Sequence, residues 1–285
     1  MGAPIARHLA EHGYALQVWN RTAEKTEAFR GNAKVVATPA DLAAAVVLSA
    51  LPDVDQLTEL TPSSVLERWV QNRTRYLIVL STTSPDKMLS LSARLAPYGI
   101  RVVDAPMSGG DAGARAGTLS LMVGADPEDF AELRPLLETF ATTIQNMGPT
   151  GAGAVAKLCN QIIVAGTLVA LAESLDLARR AGLSQSQLVD VLKGGLAASA
   201  VLDLKAQKLL TRDYELGGSA VNQLKDLRYA VGLGNRLGAE LPVTRETTSL
   251  FETAVSMGLG QRDHSAVQEL LLSPPGDFPP QGDFE

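Results

Sequence analysis

Met1-Gly2-Ala3-Pro4-Ile5-Ala6-Arg7-His8-Leu9 reads as the second half of a glycine-rich turn running into the helix that the turn opens. Of a G-x-G-x-x-G pattern only the last glycine is present, so the stretch gains its meaning from the residues downstream. In a doubly wound domain the next strand ends about 20 residues after the turn, in a side chain that reads the ribose. Tyr14 to Trp19 is an apolar, strand-like run, and Asn20-Arg21-Thr22 stands where that reader belongs.

An acidic residue at that place would bond a 2′-hydroxyl and repel a 2′-phosphate. Amide and hydroxyl donors beside a guanidinium that can fork onto phosphate instead favour NADP(H), with NAD(H) as the second choice. The plainer alternative is that Arg21 is a solvated loop arginine. Composition bounds the rest. A chain of 285 residues, 46% hydrophobic and 20% charged, has room for two domains. A net charge of -6 with no basic block argues against nucleic acid as the main partner. The single cysteine excludes an internal disulfide and a cysteine-based zinc site. Glu173, Asp176 and the Arg179-Arg180 pair interrupt the apolar stretch after residue 160, which argues against a membrane span. With no secretory signal ahead of the folded region, a reducing cytoplasm is the expected location.

The first half alternates strand-like and helix-like segments, the pattern of a mostly parallel sheet covered on both faces. After Tyr14 to Trp19 the expected strands are Ala33 to Val36, Val46 to Leu51, Tyr76 to Leu80, Arg101 to Ala105 and Leu119 to Val123; Ala23 to Phe29, Val65 to Val70 and Lys87 to Leu95 have helical spacing. Ligands of such sheets gather beyond the carboxyl ends of the strands, here at Leu51-Pro52-Asp53, Ser81-Thr82-Thr83-Ser84-Pro85 and Ala105-Pro106-Met107-Ser108-Gly109-Gly110. These loops are expected to face one cleft. Beyond Gly148 helical periodicity takes over, starting with a proline-free segment from Ala152 to Arg180. The domain boundary is therefore expected near residue 150: a dinucleotide-binding domain over 1–150, an all-helical substrate and oligomerisation domain over 151–272, and a disordered Pro/Gly-rich tail over 273–285. Further helices are expected over Ser184 to Lys193, where Ser184 and Gln187 can form a capping box, and over Val201 to Leu210, Asn222 to Leu237, Val243 to Met257 and Ser265 to Leu272.

Chemistry concentrates in two places. The first is Asp104 to Leu119, where glycines 109, 110, 113 and 117 follow a strand and let backbone N–H groups approach an anion such as a carboxylate; a flexible loop between strands is the alternative. The second is Lys157 with Asn160 and Gln161, which share one side of the long helix by their spacing. A lysine among Ala154, Val155, Ala156, Leu158 and Ile162 either snorkels to solvent or sits desolvated, where its pKa would fall and it could exchange a proton with an alcohol. Cys159, offset from that side, is expected to be packed.

At these residues the chain resembles the β-hydroxyacid dehydrogenase family, which includes 3-hydroxyisobutyrate dehydrogenases and tartronate semialdehyde reductases. The resemblance runs through the partial glycine motif, Leu51-Pro52, Ser81-Thr82, Asp104-Ala105-Pro106-Met107-Ser108-Gly109-Gly110, Gly151-x-Gly153-x-x-x-Lys157-x-x-Asn160 and Leu224-Lys225-Asp226-Leu227. It implies a Rossmann-like α/β domain followed by an all-α domain joined by a long helix, and a hydride transfer between NADP(H) or NAD(H) and a small β-hydroxy acid or semialdehyde. It further implies Lys157 as general acid/base, Ser108, Gly109 and Gly110 on the substrate carboxylate, Asn160 and Gln161 orienting the substrate, and no metal. Gly2, Asn20, Arg21, Thr22, Leu51, Pro52, Thr82 and Lys225 would hold the cofactor, with Asp226 fixing its helix. Dimers or tetramers through the helical domains are implied as well.

The chain departs from the family at Val79-Leu80, where many members carry an acidic residue, and at Gln161, often Asn. By the same resemblance a first strand and two earlier glycines are expected ahead of Met1. Taken without them, the chain could instead be a non-catalytic interaction or dimerisation protein built on its helical domain. Imine reductases share the architecture but usually lack the lysine, which argues against that reading. His8 and His12 lack an evident third ligand and are expected on a solvated helix face, and Asp53, Asp55, Glu24 and Lys25 are expected to be loop and surface charges.

Overall fold

The structure is a computed structural model that describes residues 1–215 and 217–272. The tail expected over 273–285 lies outside the described residues. The chain forms two compact units, Met1–Leu158 and a second beginning at Cys159.

In the first unit, α1 (Gly2–Glu11) is followed by the two-stranded parallel pair β1 (Gln17–Val18) and β2 (Lys34–Val35). A second sheet contains β3 (Val46–Ser49), β4 (Tyr76–Val79), β5 (Arg101–Asp104), β6 (Met107–Ser108), β7 (Leu119–Gly124) and β8 (Ala141–Gly148), in the order β3-β4-β5-β7-β6 with β8 on β7. The expected single sheet is thus two sheets. Among the described residues no ladder joins β1 to β3; the Gln17 amide instead holds the segment that leads into β3, donating to Ala43 O (3.1 Å) and accepting from Ala43 N (2.9 Å). Parallel pairing holds for β3-β4-β5, while β7 runs antiparallel to β5 and β6.

The middle strand shows why the layers form. Tyr76 and Ile78 enter one core with Ile5 and Leu9 of α1, while Leu77 and Val79 enter another. That second core holds residues from α2 (Val54–Leu60), α3 (Ser63–Gln71) and α4 (Pro85–Leu95). A strand buried on both faces reads as a continuous apolar run because each successive side chain meets a different helix layer. Ala23–Phe29 is a 3-10 helix, and α5 (Gly110–Ala116) and α6 (Pro127–Leu137) complete the unit.

The long helix α7 (Ala152–Arg180) leads into the second unit, with α8 (Gln185–Lys193), α9 (Ala200–Thr211), α10 (Ala220–Leu237), α11 (Pro242–Ala254) and a closing 3-10 helix over His264–Leu270. Ser184, Ser199 and Ser219 cap α8, α9 and α10 by accepting from the N–H three residues on, which satisfies donors that a helix start leaves open. By length and composition α7 is apolar enough to cross a membrane. Its Ala165, Leu168, Val169, Leu171, Ala172 and Leu175 nonetheless pack with α8, α9, α10 and Phe251 in the helical core, and Asp176 accepts from both Arg179 and Arg180. Those are the features of a core helix.

Candidate active site

The end expected to receive a dinucleotide begins at α1. No acidic side chain and no side-chain cap occupies its first turn, so its leading N–H groups keep their capacity for an anion. Gly2 sits close enough to the end of β3 that an added Cβ would meet Ala50 Cβ at 3.2 Å. At the end of β1, Asn20 Oδ1 accepts from Thr22 N (2.9 Å), and the resulting turn leaves Arg21 exposed. These residues suit a phosphate-bearing dinucleotide: a helix start for the bridging phosphates and an exposed guanidinium beyond the strand end.

Two of the three expected loops are bonded to each other. Ser81 Oγ donates to Leu51 O (2.7 Å) and the fully buried Thr83 donates to Asp53 Oδ1 (2.7 Å), so Leu51, Pro52 and Thr82 are held on one frame. Asp53 is therefore not a surface charge. It accepts from Val54 N at the start of α2 and pairs with Lys87, because the turn after β3 brings it under the loop after β4.

The third loop is organised by Asp104, which is 1% exposed. Its carboxylate accepts from Gly151 N and Ala154 N, both at 2.7 Å, and so grips the N-terminus of α7. Burial raises its pKa to about 6, opposed by the N–H groups of Gly151, Ala154 and Gly153. The grip also accounts for Gly153: any Cβ there would collide with Met122 O and crowd Asp104. From the same aspartate the chain passes through Pro106 to Ser108, paired with Ser120 in β6 and β7, and then to Gly109 (φ 123°) and Gly110 (φ 62°). Backbone with two successive positive φ values turns sharply into α5, which only glycines adopt without strain.

One turn into α7 stands Lys157, 7% exposed, so it is buried rather than snorkelling. Cys159, expected to be packed, is exposed, because it lies on the side of α7 away from Lys157, Leu158 and Gln161. In the second unit Gln161 Nε2 donates to Asp226 Oδ2 (2.8 Å) and, more weakly, to Gln223 Oε1 (3.4 Å). Lys225 Nζ lies 3.0 Å from Asp226 Oδ1 and over the Tyr229 ring. Gln223 Oε1 also meets His264 Nδ1 at 3.0 Å. Asp226 thus does more than steady its own helix: it joins Lys225 to Gln161.

Sequence reasoning misses three residues. Asp104 announces itself only through the Gly151-x-Gly153 spacing that makes room for it, and Gln223 and His264 carry no pattern at all. His8, expected on a solvated face, points its Nε2 at Ala114 O and Arg115 O, both 3.1 Å away at the end of α5. His12 Nδ1 bonds back to His8 O, and the described residues contain no cluster able to hold a metal.

Comparison with known proteins places this arrangement. Residues 1–148 match the pattern described as the NAD binding domain of 6-phosphogluconate dehydrogenase, and residues 151–271 match that described as NAD-binding of NADP-dependent 3-hydroxyisobutyrate dehydrogenase. The chain is 32% identical over 275 residues to 2-hydroxy-3-oxopropionate reductase of Escherichia coli (strain K12), covering 95% of this chain and 94% of the relative. It is also 32% identical to 2-(hydroxymethyl)glutarate dehydrogenase of Eubacterium barkeri, over 94% of this chain and 90% of that one. Among solved structures, Mycobacterium tuberculosis 3-hydroxyisobutyrate dehydrogenase with L-serine superposes with a TM-score of 0.82 at 28% identity, covering 96% of each chain.

Proposed function

This chain belongs to the β-hydroxyacid dehydrogenase family, and on that ground we propose that it exchanges a hydride between NADP(H) and the terminal carbinol of a small hydroxy carboxylate. The matched patterns describe NAD-binding domains, one of them from an NADP-dependent dehydrogenase, and the relatives carry the names of a reductase and a dehydrogenase, which favours this reading over that of an interaction module. The observation that carries it is the buried Lys157, held one turn into a helix whose first N–H groups are gripped by the aspartate that begins the glycine loop.

The roles then follow from chemistry. The Ser108-Gly109-Gly110 backbone and hydroxyl receive the carboxylate, and Lys157 takes the hydroxyl proton on oxidation or returns it on reduction. Asn160 and Gln161, on the same side of α7, orient the carbon between them. Gly2, Leu51, Pro52, Thr82 and Lys225 hold the cofactor, which when bound supplies or accepts the hydride. Asn20, Arg21 and Thr22 meet its ribose end, and the exposed guanidinium favours the 2′-phosphate. We place the enzyme in the cytoplasm as a homodimer or homotetramer built through its helical unit.

The test of cofactor choice is a calorimetric titration of the full chain with NADPH and with NADH. NADPH is expected to bind at least about tenfold more tightly, and Arg21→Ala to remove most of that difference, since one charge-assisted pair contributes about 1.5–3 kcal/mol. Equal affinities in the unaltered chain would reject Arg21 as the phosphate reader.

A further inference from the structure

We infer that Asp104 is a positioning residue for Lys157: by capping α7 from outside that helix's own sequence, it fixes where the lysine stands relative to the strand that leads into the Ser108 loop, and so sets the rate of proton transfer. The inference rests on the dehydrogenase reading above and adds to it a residue that acts through the helix. Every group involved lies in the first unit.

The start of α7 has no cap of its own. Gly151 is the N-cap residue, since its carbonyl accepts the first helical bond from Val155 N (3.1 Å), and it has no side chain to offer. Thr150, one residue earlier, turns its hydroxyl to Val102 O on β5 (2.9 Å). The N–H that an N-cap side chain would take is that of Ala154, and Asp104 Oδ2 takes it at 2.7 Å, while Oδ1 takes Gly151 N at the same distance. β5 therefore holds the helix start at two points, Val102 and Asp104. A carboxylate there also faces the positive end of a 29-residue helix.

The carboxylate has no freedom to turn away. Asp104 pairs with Gly124 of β7, and a Cβ on Gly124 would strike Asp104 Oδ1, just as a Cβ on Gly153 would crowd Oδ2 from α7. With both oxygens seated in glycine gaps and both occupied by N–H groups, one side-chain rotamer sets the register of α7 on β5. Lys157 follows Ala154 by about 4.5 Å along an unbroken helix, so it inherits that register. Toward Ser108 the chain is held in turn, Ala105 N bonding Val79 O (2.8 Å) and Met122 N bonding Pro106 O (3.1 Å). The loop and the lysine are thus referred to the same side chain.

Burial works against this carboxylate, bringing its pKa up to about 6 although the N–H groups of Gly151, Ala154 and Gly153 oppose the rise. A hydroxyl cap would avoid that cost but has a single oxygen. Two oxygens at a fixed separation hold two N–H groups together, which orients a helix as well as satisfying it.

The experiment measures kcat, KM and NADPH affinity of the full chain, using 3-hydroxyisobutyrate or glycerate, whichever it oxidises faster with NADP+. Asp104→Asn keeps the shape but sets a hydrogen-bearing nitrogen against one of the two N–H groups. It is expected to lower kcat at least about tenfold, since a displacement near 1 Å can cost about 100-fold, and to hold NADPH affinity within about twofold. Exchanging the amide of residue 154 for an ester removes that N–H. In Asp104→Asn this exchange is expected to restore kcat at least about threefold, and in the otherwise unaltered chain to lower it by a like factor. A role in stability alone would leave the kcat of folded molecules unchanged and gain nothing from the ester. Unchanged kcat in folded Asp104→Asn therefore overturns the inference and leaves the dehydrogenase reading intact, as does a fall that the ester fails to relieve or one matched by an equal loss of NADPH affinity. Where Asp104→Asn does not fold, the ester in the otherwise unaltered chain decides, and unchanged kcat there overturns the inference. Oxidation of neither acid by an unaltered chain that binds NADPH removes the dehydrogenase reading, and the inference with it.

Discussion

Among single residues, the proposed chemistry depends most on a buried amine. Lys157 lies at 7% exposure in a helix turn anchored by Asp104. A structural lysine in that place would contribute to stability, whereas a proton-transfer group contributes to the rate. Lys157→Ala is therefore expected to lower kcat at least about 100-fold, the usual share of one positioned acid/base, with NADPH affinity by titration nearly unchanged. Steady-state kinetics beside calorimetry separates the two. A variant that keeps its rate but loses thermal stability would show that burial, not chemistry, explains the residue.

Between elements, the unexpected link is His8. Because both its partners are carbonyls, its Nε2 must carry the proton, and it caps the last turn of α5 from α1. The N-terminal end of that same helix begins at the glycine pair Gly109-Gly110, proposed above to receive the carboxylate. His8→Ala is expected to cost about 1–2 kcal/mol for two lost bonds and to speed hydrogen exchange at residues 113–117; His8→Gln, which can still present a donor at that reach, should recover most of both. Unchanged exchange in the alanine variant would mean the two bonds hold nothing in place. Such cross-element contacts mark where a single sequence stops being readable. The strand Tyr76–Val79 and the helix of Lys157 are visible in it because each is a largely unbroken apolar run, short in the strand and long and proline-free in the helix. By contrast β8 reads Ala-Thr-Thr-Ile-Gln-Asn-Met-Gly, alternates only loosely in burial, and owes its existence to pairing with β7. Lys157, Ser108 and Gly109 are legible as chemistry because a lysine in an apolar run and a cluster of glycines are locally odd. Asp104 and the partners of Gln161 are ordinary residues made special by the segments that fold against them.

Across the whole molecule, two buried carboxylates in different units set opposite limits on stability. Asp104 has its folded pKa raised from 3.8 to about 6, burial being the larger influence and the three helix N–H groups opposing it. Its contribution is thus fully present below pH 3.8 and is lost as pH rises through about 6. Asp263, 0% exposed, would also be raised by burial, but bonds from Lys205 and Ser265 outweigh that and hold it at about 2. Its contribution is present above pH 3.8 and is lost as pH falls through about 2. Denaturant midpoints measured from about pH 2 to about pH 7 should therefore separate two variants by the side on which they act. Relative to Asp104→Asn, which has no charge to bury, the unaltered chain should lose ground between pH 3.8 and about 6. Relative to Asp263→Asn it should gain ground from about pH 2 to 3.8 and hold a constant advantage above. That advantage should be large, since removing one partner of a buried pair strands the other: Lys205 stays largely covered, and such losses run to about 3–5 kcal/mol. Should both variants shift the midpoints in the same pH window, the two carboxylates would not be the groups that titrate. Should Asp263→Asn show no acid-side change, the ion pair with Lys205 would be contributing geometry alone.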